Sequence, residues 1–361
     1  MSVLVILITL AALYSLMGLL LTKFGLKGLV CTRSFSRPAV FEGEEGELVE
    51  VVRNDRPMLI PWLRMESSIS PYLRLGRQDN VNISGARHYS SLFTLMPYQQ
   101  VRRRHHVTFL HRGEYDLGNA TLTVGDVLGL FQANREQSMH VPVLVFPRLL
   151  EERDMPLPLS QLMGEASHRR QLLTDPFLVR GLRAYQPGDP VRDIHWPATA
   201  RMGEVQVRQF DHTACMKLLV ILNVQQTGDQ WGEKLMDYEE NQLEYGISAA
   251  ATLCVWALRN GLTAGFAANA AVSGEKESLI QLPEAGPARE EELLTALARL
   301  SLRRTQSFAY FLNTLTDLAD LDIVVLSTYD SEEIRQGIEN LRRQNNRVSL
   351  HLFDRMAGGA A

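Results

Sequence analysis

The residues with the most evident capacity for chemistry lie in the segment RGLRAYQPGDPVRDIHWPATARMGEVQVRQF, residues 180–210. Its arginines are interspersed with aspartates, which favours mutual ion pairing because the planar guanidinium matches a carboxylate through two hydrogen bonds. The alternative is a cradle for a phosphate or an acidic peptide, which would appear as arginines without carboxylate partners. We expect mainly structural pairing, and the candidate site residues are Arg183, Tyr185, Gly188, Asp189, Arg192, His195, Trp196, Arg201 and Arg208.

A catalytic role for this segment would need a general base and a nucleophile. His195 is close to Asp193 in sequence, but residues so near each other rarely form the hydrogen bond of a catalytic triad. No motif such as G-x-S-x-G marks a serine or cysteine as a nucleophile. The sequence therefore favours a structural histidine and a protein without catalytic residues. An enzyme or ligand-binding protein that uses the Arg/Asp/His cluster of residues 180–211 is the alternative.

Local signals indicate how the chain would position these side chains. Residues 187–190 read Pro-Gly-Asp-Pro, which predicts a turn because proline presets φ, glycine tolerates positive φ and aspartate accepts backbone N–H bonds. The following HWPATAR fits a helical turn or a loop. GEVQVRQF alternates apolar and polar residues, as a half-buried strand does.

Beyond about Cys215, strands and helices alternate. The apolar runs MKLLVILNVQ, LTAGFAAN, LDIVVLST and RVSLHLF are typical of strands covered on both faces. Helical spacing occurs in YEENQLEYGISAAATLCVWALRNG, in AREEELLTALARLSLRR and in SEEIRQGIENLRRQN, where Ser331 fits an N-cap. This alternation predicts βαβ units and a mainly parallel sheet.

Residues 35–150 have a different texture, with short apolar runs separated by turn signals, which predicts a small antiparallel β-sandwich. Within it, RRRHH at residues 102–106 invites a metal or nucleic-acid interpretation. On a strand, however, His105 and His106 point to opposite faces and make a poor chelate. We expect a solvated basic strand face.

The N-terminal run VLVILITLAALYSLMGLLL, residues 3–21, carries no charge and no proline, and about twenty such residues span a bilayer core. A cleaved signal peptide would need a basic start, a shorter apolar core and a small-residue cleavage site. Lys23, Lys27, Arg33 and Arg37 follow the run, and the positive-inside rule then places the soluble body in the cytoplasm. We therefore expect a single-pass protein of the cell membrane, with the lipid bilayer as one partner.

Net charge and cysteine content indicate the class of protein and its compartment. A formal net charge of −4 argues against a nucleic-acid binder. Cys31, Cys215 and Cys254 are far apart and give no disulfide framework, which suits a reducing compartment. The expected organisation is an anchor with a basic flank (1–34), a β-sandwich-like domain (35–150), a linker (151–170) and an α/β domain (171–361).

One stretch carries a family resemblance. The order Arg183, Tyr185, Gly188-Asp189, Arg192, Ile194, Trp196 and Ala200-Arg201 resembles the signature R-x-Y-x-x-G-D-x-x-R-x-I-x-W-x-x-x-A-R of domain-of-unknown-function family 58. DVLGLF, residues 126–131, is similar to a turn that ends the family's upstream β-domain, with Val127 in place of the usual proline. The resemblance covers most of the chain after the apolar run. Members typically carry two N-terminal spans, whereas one is evident here.

The resemblance implies a C-terminal domain of von Willebrand factor type A-like fold, which is Rossmann-like. It also implies partners: a MoxR-type AAA ATPase and a transglutaminase-like membrane protein. Type A domains bind Mg²⁺ through D-x-S-x-S after the first strand, whereas this sequence has Asn223, Gln225 and Thr227 there. Neutral side chains remove water from Mg²⁺ poorly, so we expect a degenerate site without metal and no cofactor. The expected function is a non-enzymatic interaction or assembly factor at the membrane.

Overall fold

The computed structural model describes residues 2–76, 81–84, 88–157, 174–186, 189–212, 216–228 and 235–353. The chain divides into two compact units, Met1–Arg148 and Leu149–Ala361. The expected linker at 151–170 lies largely outside the described residues, as do Gly188 and Cys215.

The first unit begins with helix α1, Ser2–Phe24, whose apolar side chains are mostly exposed. Its length and composition would allow α1 to cross a membrane. A signal sequence near the N-terminus can have the same length and composition. Strand β1 begins at Leu29, so residues 29–34, expected to be a basic flank, belong to the β-structure.

Among the described residues of this unit, three sheets follow α1. Their strand orders are β1-β3-β8-β5, β11-β10-β4-β7-β6 and β2-β12-β9, and neighbouring strands are antiparallel except for the parallel pair β2–β12. The bounds are β1 (Leu29–Phe35), β2 (Ala39–Phe41), β3 (Glu45–Asn54), β4 (Ile60–Ser68), β5 (Leu73–Leu75), β6 (Val81–Ser84), β7 (His88–Leu95), β8 (Gln100–Phe109), β9 (Gly113–Asp116), β10 (Asn119–Gly125), β11 (Gln132–Ser138) and β12 (Pro142–Phe146).

The first two sheets pack face to face. Cys31 and Val52 of the first sheet and Leu63, Phe93 and Leu122 of the second belong to one buried cluster. Period-2 alternation along each strand supplies these inward side chains. The predicted β-sandwich-like architecture is therefore confirmed, and the Cys31 thiol is free and buried.

The second unit contains a two-stranded antiparallel hairpin of β13 (Thr174–Ala184) and β14 (Gln206–His212). Helix α2, Trp196–Met202, lies between these strands in sequence and forms from HWPATAR. Gly203 ends α2 at a φ of 72°, a left-handed conformation that glycine adopts without strain.

A mixed five-stranded sheet forms the rest of the core, in the order β18-β16-β15-β20-β21. Four strands are parallel, and β18 pairs antiparallel with β16 at one edge. The predicted, mainly parallel α/β architecture is confirmed. The strands are β15 (Lys217–Leu222), β16 (Thr263–Ala268), β18 (Ile280–Glu284), β20 (Asp322–Ser327) and β21 (Arg347–Leu352); β17 (Ala270–Val272) and β19 (Leu300–Arg304) form a separate pair.

The described part of this unit adds helices α3 (Asp237–Arg259), α4 (Arg289–Arg299), α5 (Phe308–Thr314) and α6 (Glu332–Arg343) to the sheet. Ser331 caps α6 as predicted, its hydroxyl accepting from the Ile334 N–H. The sequence LSLRR was expected to continue α4, but the backbone becomes extended at Leu300 and β19 pairs with β17. Pairing with a strand distant in sequence overrides the local helical pattern there.

Candidate functional site

The clearest interaction in the predicted motif is a bidentate ion pair between Arg183 and Asp189. Arg183 Nη1 and Nη2 each lie 2.7 Å from an Asp189 carboxylate oxygen, and the Gln186 N–H donates to the same carboxylate at 2.8 Å. The hydrogen bonds from Arg183, followed by that from Gln186, hold the pKa of Asp189 below its ordinary value. This pair fastens the residues that follow β13 to the end of that strand.

His195 caps a helix. The ring atom Nδ1 of His195 accepts from the Ala198 N–H at 3.1 Å, at the N-terminus of α2. The backbone N–H of His195 donates to the Gln206 carbonyl at 2.8 Å. Thr199 Oγ1 donates to the His195 carbonyl and accepts from the Gln206 N–H. His195 therefore ties α2 to β14.

The same segment directs several large apolar side chains outward. Tyr185, Val191, Trp196 and Met202 are exposed by 41%, 69%, 63% and 67%, respectively. We refer to these four residues as the motif surface. Exposed aromatic and methionine side chains are enriched at protein interfaces.

Three arginines of the motif are not held as Arg183 is. Arg192 has one long contact, 3.8 Å from its Nε to Asp193 Oδ1, and its side chain is 86% exposed. Arg201 and Arg208 are exposed and form no ion pair with a side chain that the structure describes. The structure thus pairs Arg183 with Asp189 and leaves the side chains of Arg192, Arg201 and Arg208 exposed.

Asn223, Gln225 and Thr227, which stand where a type A domain would have its metal ligands, follow the end of β15. The neighbouring strand is β20. From β15 the chain continues to β16 on one side, and from β20 it continues to β21 on the other. Such switch points are the usual ligand sites of open α/β sheets. Asn223 is fully buried: its Nδ2 donates to Ser327 Oγ at 3.0 Å and its Oδ1 accepts from the Gln225 N–H at 2.9 Å.

Gln225 completes this amide network. Its Nε2 donates to the Thr227 carbonyl at 2.8 Å, and its Oε1 accepts from the Phe308 N–H at 3.0 Å. Thr227 itself is exposed. The side-chain oxygens of Asn223 and Gln225 thus hold the loop after β15 in place, and the residues that the structure describes contain no group of three or more metal-ligating His, Cys, Asp or Glu side chains.

A buried charge cluster in the first unit was not predicted. Glu50 lies between Arg33, with Nε 2.8 Å from Oε1, and His105, with Nε2 3.0 Å from Oε2. Arg102, Arg104 and His106 are exposed, but His105 points inward. RRRHH is therefore a solvated basic face on alternate residues only. The alternation of a strand was the available signal, but nothing in the sequence identified Glu50 as the partner.

These features define a protein with an apolar N-terminal helix, a β-sandwich-like unit and an α/β unit. The α/β unit includes the β13–β14 hairpin, which carries the pair of Arg183 and Asp189. Residues 181–354 match the family described as "Protein of unknown function DUF58", and this region of the chain is a DUF58 family domain. The match spans both the hairpin motif and the amide network.

A relative and two solved structures extend the comparison. The uncharacterized protein YeaD of Bacillus subtilis is 19% identical over 254 residues, which is 69% of this chain and 58% of YeaD. A CARDB domain from Pyrococcus furiosus is 15% identical, covers 33% of this chain and 96% of its own, and gives a TM-score of 0.22. A cohesin from Archaeoglobus fulgidus is 7% identical, covers 37% and 96%, and gives a TM-score of 0.24. These scores carry no inference about function.

Proposed function

We propose that this protein is a non-enzymatic interaction or assembly factor, anchored in the cell membrane by α1, with a cytoplasmic soluble body. The observation that carries the proposal is the motif surface. The motif's polar groups most suited to chemistry, Asp189 and His195, are engaged in holding the backbone, whereas Trp196 and its apolar neighbours face outward.

The partner we propose is a MoxR-type AAA ATPase, which the family resemblance implies, presenting acidic side chains to Arg192, Arg201 and Arg208. Hot spots of protein interfaces are enriched in tryptophan, tyrosine and arginine, and the segment exposes all three types. A transglutaminase-like membrane protein is a second partner implied by the same resemblance.

We further propose that the α/β unit is von Willebrand factor type A-like. The strand order β18-β16-β15-β20-β21, with an antiparallel strand at the edge, supports this assignment. In this interpretation, the amide network of Asn223 and Gln225 has replaced the metal ligands of the type A rim. The domain would then act by contact without metal.

A binding measurement tests the proposed docking role. The full-length protein in detergent, immobilised by a C-terminal tag, is titrated with the purified MoxR-type ATPase. Trp196→Ala and Arg201→Glu should each weaken binding at least tenfold, because truncating a hot spot costs about 2 kcal/mol or more. Tyr310→Ala is the matched control, since Tyr310 is 62% exposed in α5 of the same unit.

Affinity should be unchanged in Tyr310→Ala. Equal affinities for wild type, Trp196→Ala and Arg201→Glu would contradict docking through the motif surface. Absence of binding by the wild-type protein would contradict the choice of partner. Circular dichroism of each variant checks that the fold is retained, which we expect because both altered side chains are exposed.

A further inference from the structure

The end of the β-unit next to α1 is built from four connections. Residues 25–28 precede β1, residues 55–59 join β3 to β4, residues 96–99 join β7 to β8, and residues 126–131 join β10 to β11. Strand pairing places them at one end of the unit: Leu29 pairs with Asn54, Ile60 with Leu95, and Trp62 with Gly125. We call residues 126–131, DVLGLF, the apolar loop.

The apolar loop exposes three large aliphatic side chains. Val127, Leu128 and Leu130 are exposed by 76%, 67% and 71%. Its one charged residue, Asp126, is buried, and Gly129 makes the turn at a φ of 73°. An exposed cluster of this kind on a soluble surface would favour aggregation unless something apolar covers it.

The loop lies directly against α1. The Phe131 ring packs 6.0 Å from the Tyr14 ring, centroid to centroid. A Cβ placed on Gly18 would collide with the Phe131 ring, so the absence of a side chain there allows the close approach. One face of α1 thus contacts the loop, while Leu13, Leu16 and Leu20 are exposed.

The position of these contacts along α1 sets their depth. At a rise of about 1.5 Å per residue, Gly18 and Tyr14 lie roughly 9 Å and roughly 15 Å before Phe24 along the helix axis. One leaflet of hydrocarbon is about 15 Å thick. If Lys23 and Phe24 mark the membrane surface, the contact between Phe131 and α1 is within the leaflet.

Backbone groups in hydrocarbon must be paired, and much of this loop satisfies that condition internally. The N–H groups of Leu128 and Phe131 donate to the Asp126 carboxylate at 3.2 and 2.7 Å, and the Gly129 N–H donates to the Asp126 carbonyl at 3.1 Å. Trp62 Nε1 also donates to that carbonyl, at 2.8 Å. Asp126 therefore pairs the N–H groups of Leu128, Gly129 and Phe131, and its side chain is buried.

We propose that the apolar loop inserts into the hydrocarbon of the leaflet that holds the C-terminal half of α1, with Val127, Leu128 and Leu130 contacting lipid acyl chains. The inference depends on the proposed anchoring by α1, and it adds a second membrane contact from the folded unit. The lipid contact is continuous with the exposed side chains of α1, because Phe131 joins the two surfaces.

Spin-label accessibility tests the insertion. Single cysteines replace Leu128, Leu130, Leu16 in α1 and Asn119 in otherwise full-length protein carrying Cys215→Ser, reconstituted in vesicles of phosphatidylcholine and phosphatidylglycerol. Asn119 is the matched control: it is exposed at the opposite end of β10, about 20 Å from Gly125. Cys31 and Cys254 are buried, and burial raises their thiol pKa to about 11 and about 12, so they should label slowly.

Collisions with oxygen, which concentrates in hydrocarbon, are compared with collisions with a polar nickel complex. The ratio of oxygen collisions to nickel collisions should be several-fold higher at positions 128 and 130 than at position 119. It should match the ratio at position 16. A ratio at 128 equal to that at 119, with 16 still in hydrocarbon, overturns the insertion and leaves the anchor intact. A water-exposed label at 16 overturns the anchor as well.

Two further outcomes would also overturn the insertion. Shielding of position 128 from both reagents would mean that protein covers the loop. Spin–spin broadening that grows with the protein-to-lipid ratio would mean that a second copy covers it. The purified preparation contains no other membrane protein, so lipid contact would not be confused with a transmembrane partner.

Discussion

Glu50 sits in a protein interior with Arg33 on one side and His105 on the other. Burial alone would raise the pKa of Glu50, but the His105 hydrogen bond and the Arg33 charge outweigh it and hold that pKa below its ordinary value. A buried pair of this kind costs desolvation on both sides, so it adds little net stability. Removing one member is different, because the remaining charge stays buried.

Glu50→Gln should destabilise the β-unit by about 3 kcal/mol or more, since Arg33 would lose its counter-charge in the interior. Glu47→Gln is the control on the same strand: its contact with Arg104 is 3.9 Å long and partly exposed, and such pairs contribute less than about 1 kcal/mol. Amide hydrogen exchange of β3 and β8 in the full chain measures both changes. Equal effects of the two substitutions would contradict the role given to burial.

The depressed pKa of Glu50 also fixes the sign of a pH effect. Its contribution to stability is fully present above the ordinary glutamate pKa of about 4.3 and is lost as the pH falls through the lower folded value. The difference in exchange between wild type and Glu50→Gln should therefore shrink in acid. If the difference in exchange between wild type and Glu50→Gln instead grew as the pH fell below the ordinary glutamate pKa, the surroundings of Glu50 would not favour its carboxylate form.

At the scale of elements, the end of β15 shows how hydrogen bonding decides what a loop can bind. Asn223 and Gln225 have the oxygen atoms that Mg²⁺ would need, but each already accepts a backbone N–H. A metal would have to break those bonds and be held by neutral groups. The hydrogen bonds of Gln225 to Thr227 and Phe308 instead join the loop after β15 to the start of α5.

Adding millimolar Mg²⁺ should leave the unfolding temperature of the α/β unit unchanged, because neutral amides dehydrate this ion poorly. Differential scanning calorimetry of the full chain measures it, with protein treated with a chelator as the reference. A saturable rise in temperature would indicate binding to the folded state and would contradict the proposed loss of the metal site.

On the scale of the whole molecule, the two units carry different exposed features. The β-unit follows α1 directly and packs the apolar loop against that helix, whereas the α/β unit displays the motif surface. In the proposed function, the first unit stays at the membrane and the second unit meets a partner. It requires that α1 is retained in the mature protein.

Intact mass spectrometry of the protein purified from membranes should therefore show a chain that includes residues 2–24, and alkaline carbonate should not extract it. About twenty apolar residues across the bilayer hold a protein through such treatment because no polar backbone group is exposed. A mature chain beginning after Phe24 would identify α1 as a signal sequence and contradict the anchor.

The local patterns of this sequence sufficed for many elements. The apolar runs at β15, β16 and β20 predicted buried strands, and Ser331 predicted the start of α6, because these signals depend on neighbouring residues. The β18 strand, the β17–β19 pair and the end of α4 at Arg299 were not predicted. They depend on pairing between segments that are distant in the chain, which composition and periodicity do not encode.

The same division holds for the site. The sequence by itself determined the apolar helix, the alternation of strands and helices, the DUF58 signature and the neutral side chains of Asn223 and Gln225 after β15. The tertiary structure decided which side chains meet: Arg183 with Asp189, Arg33 with Glu50, and the Phe131 ring with Gly18. Residue type sets what a side chain can do, but its partner is set by distances between elements, and those exist only once the chain has folded.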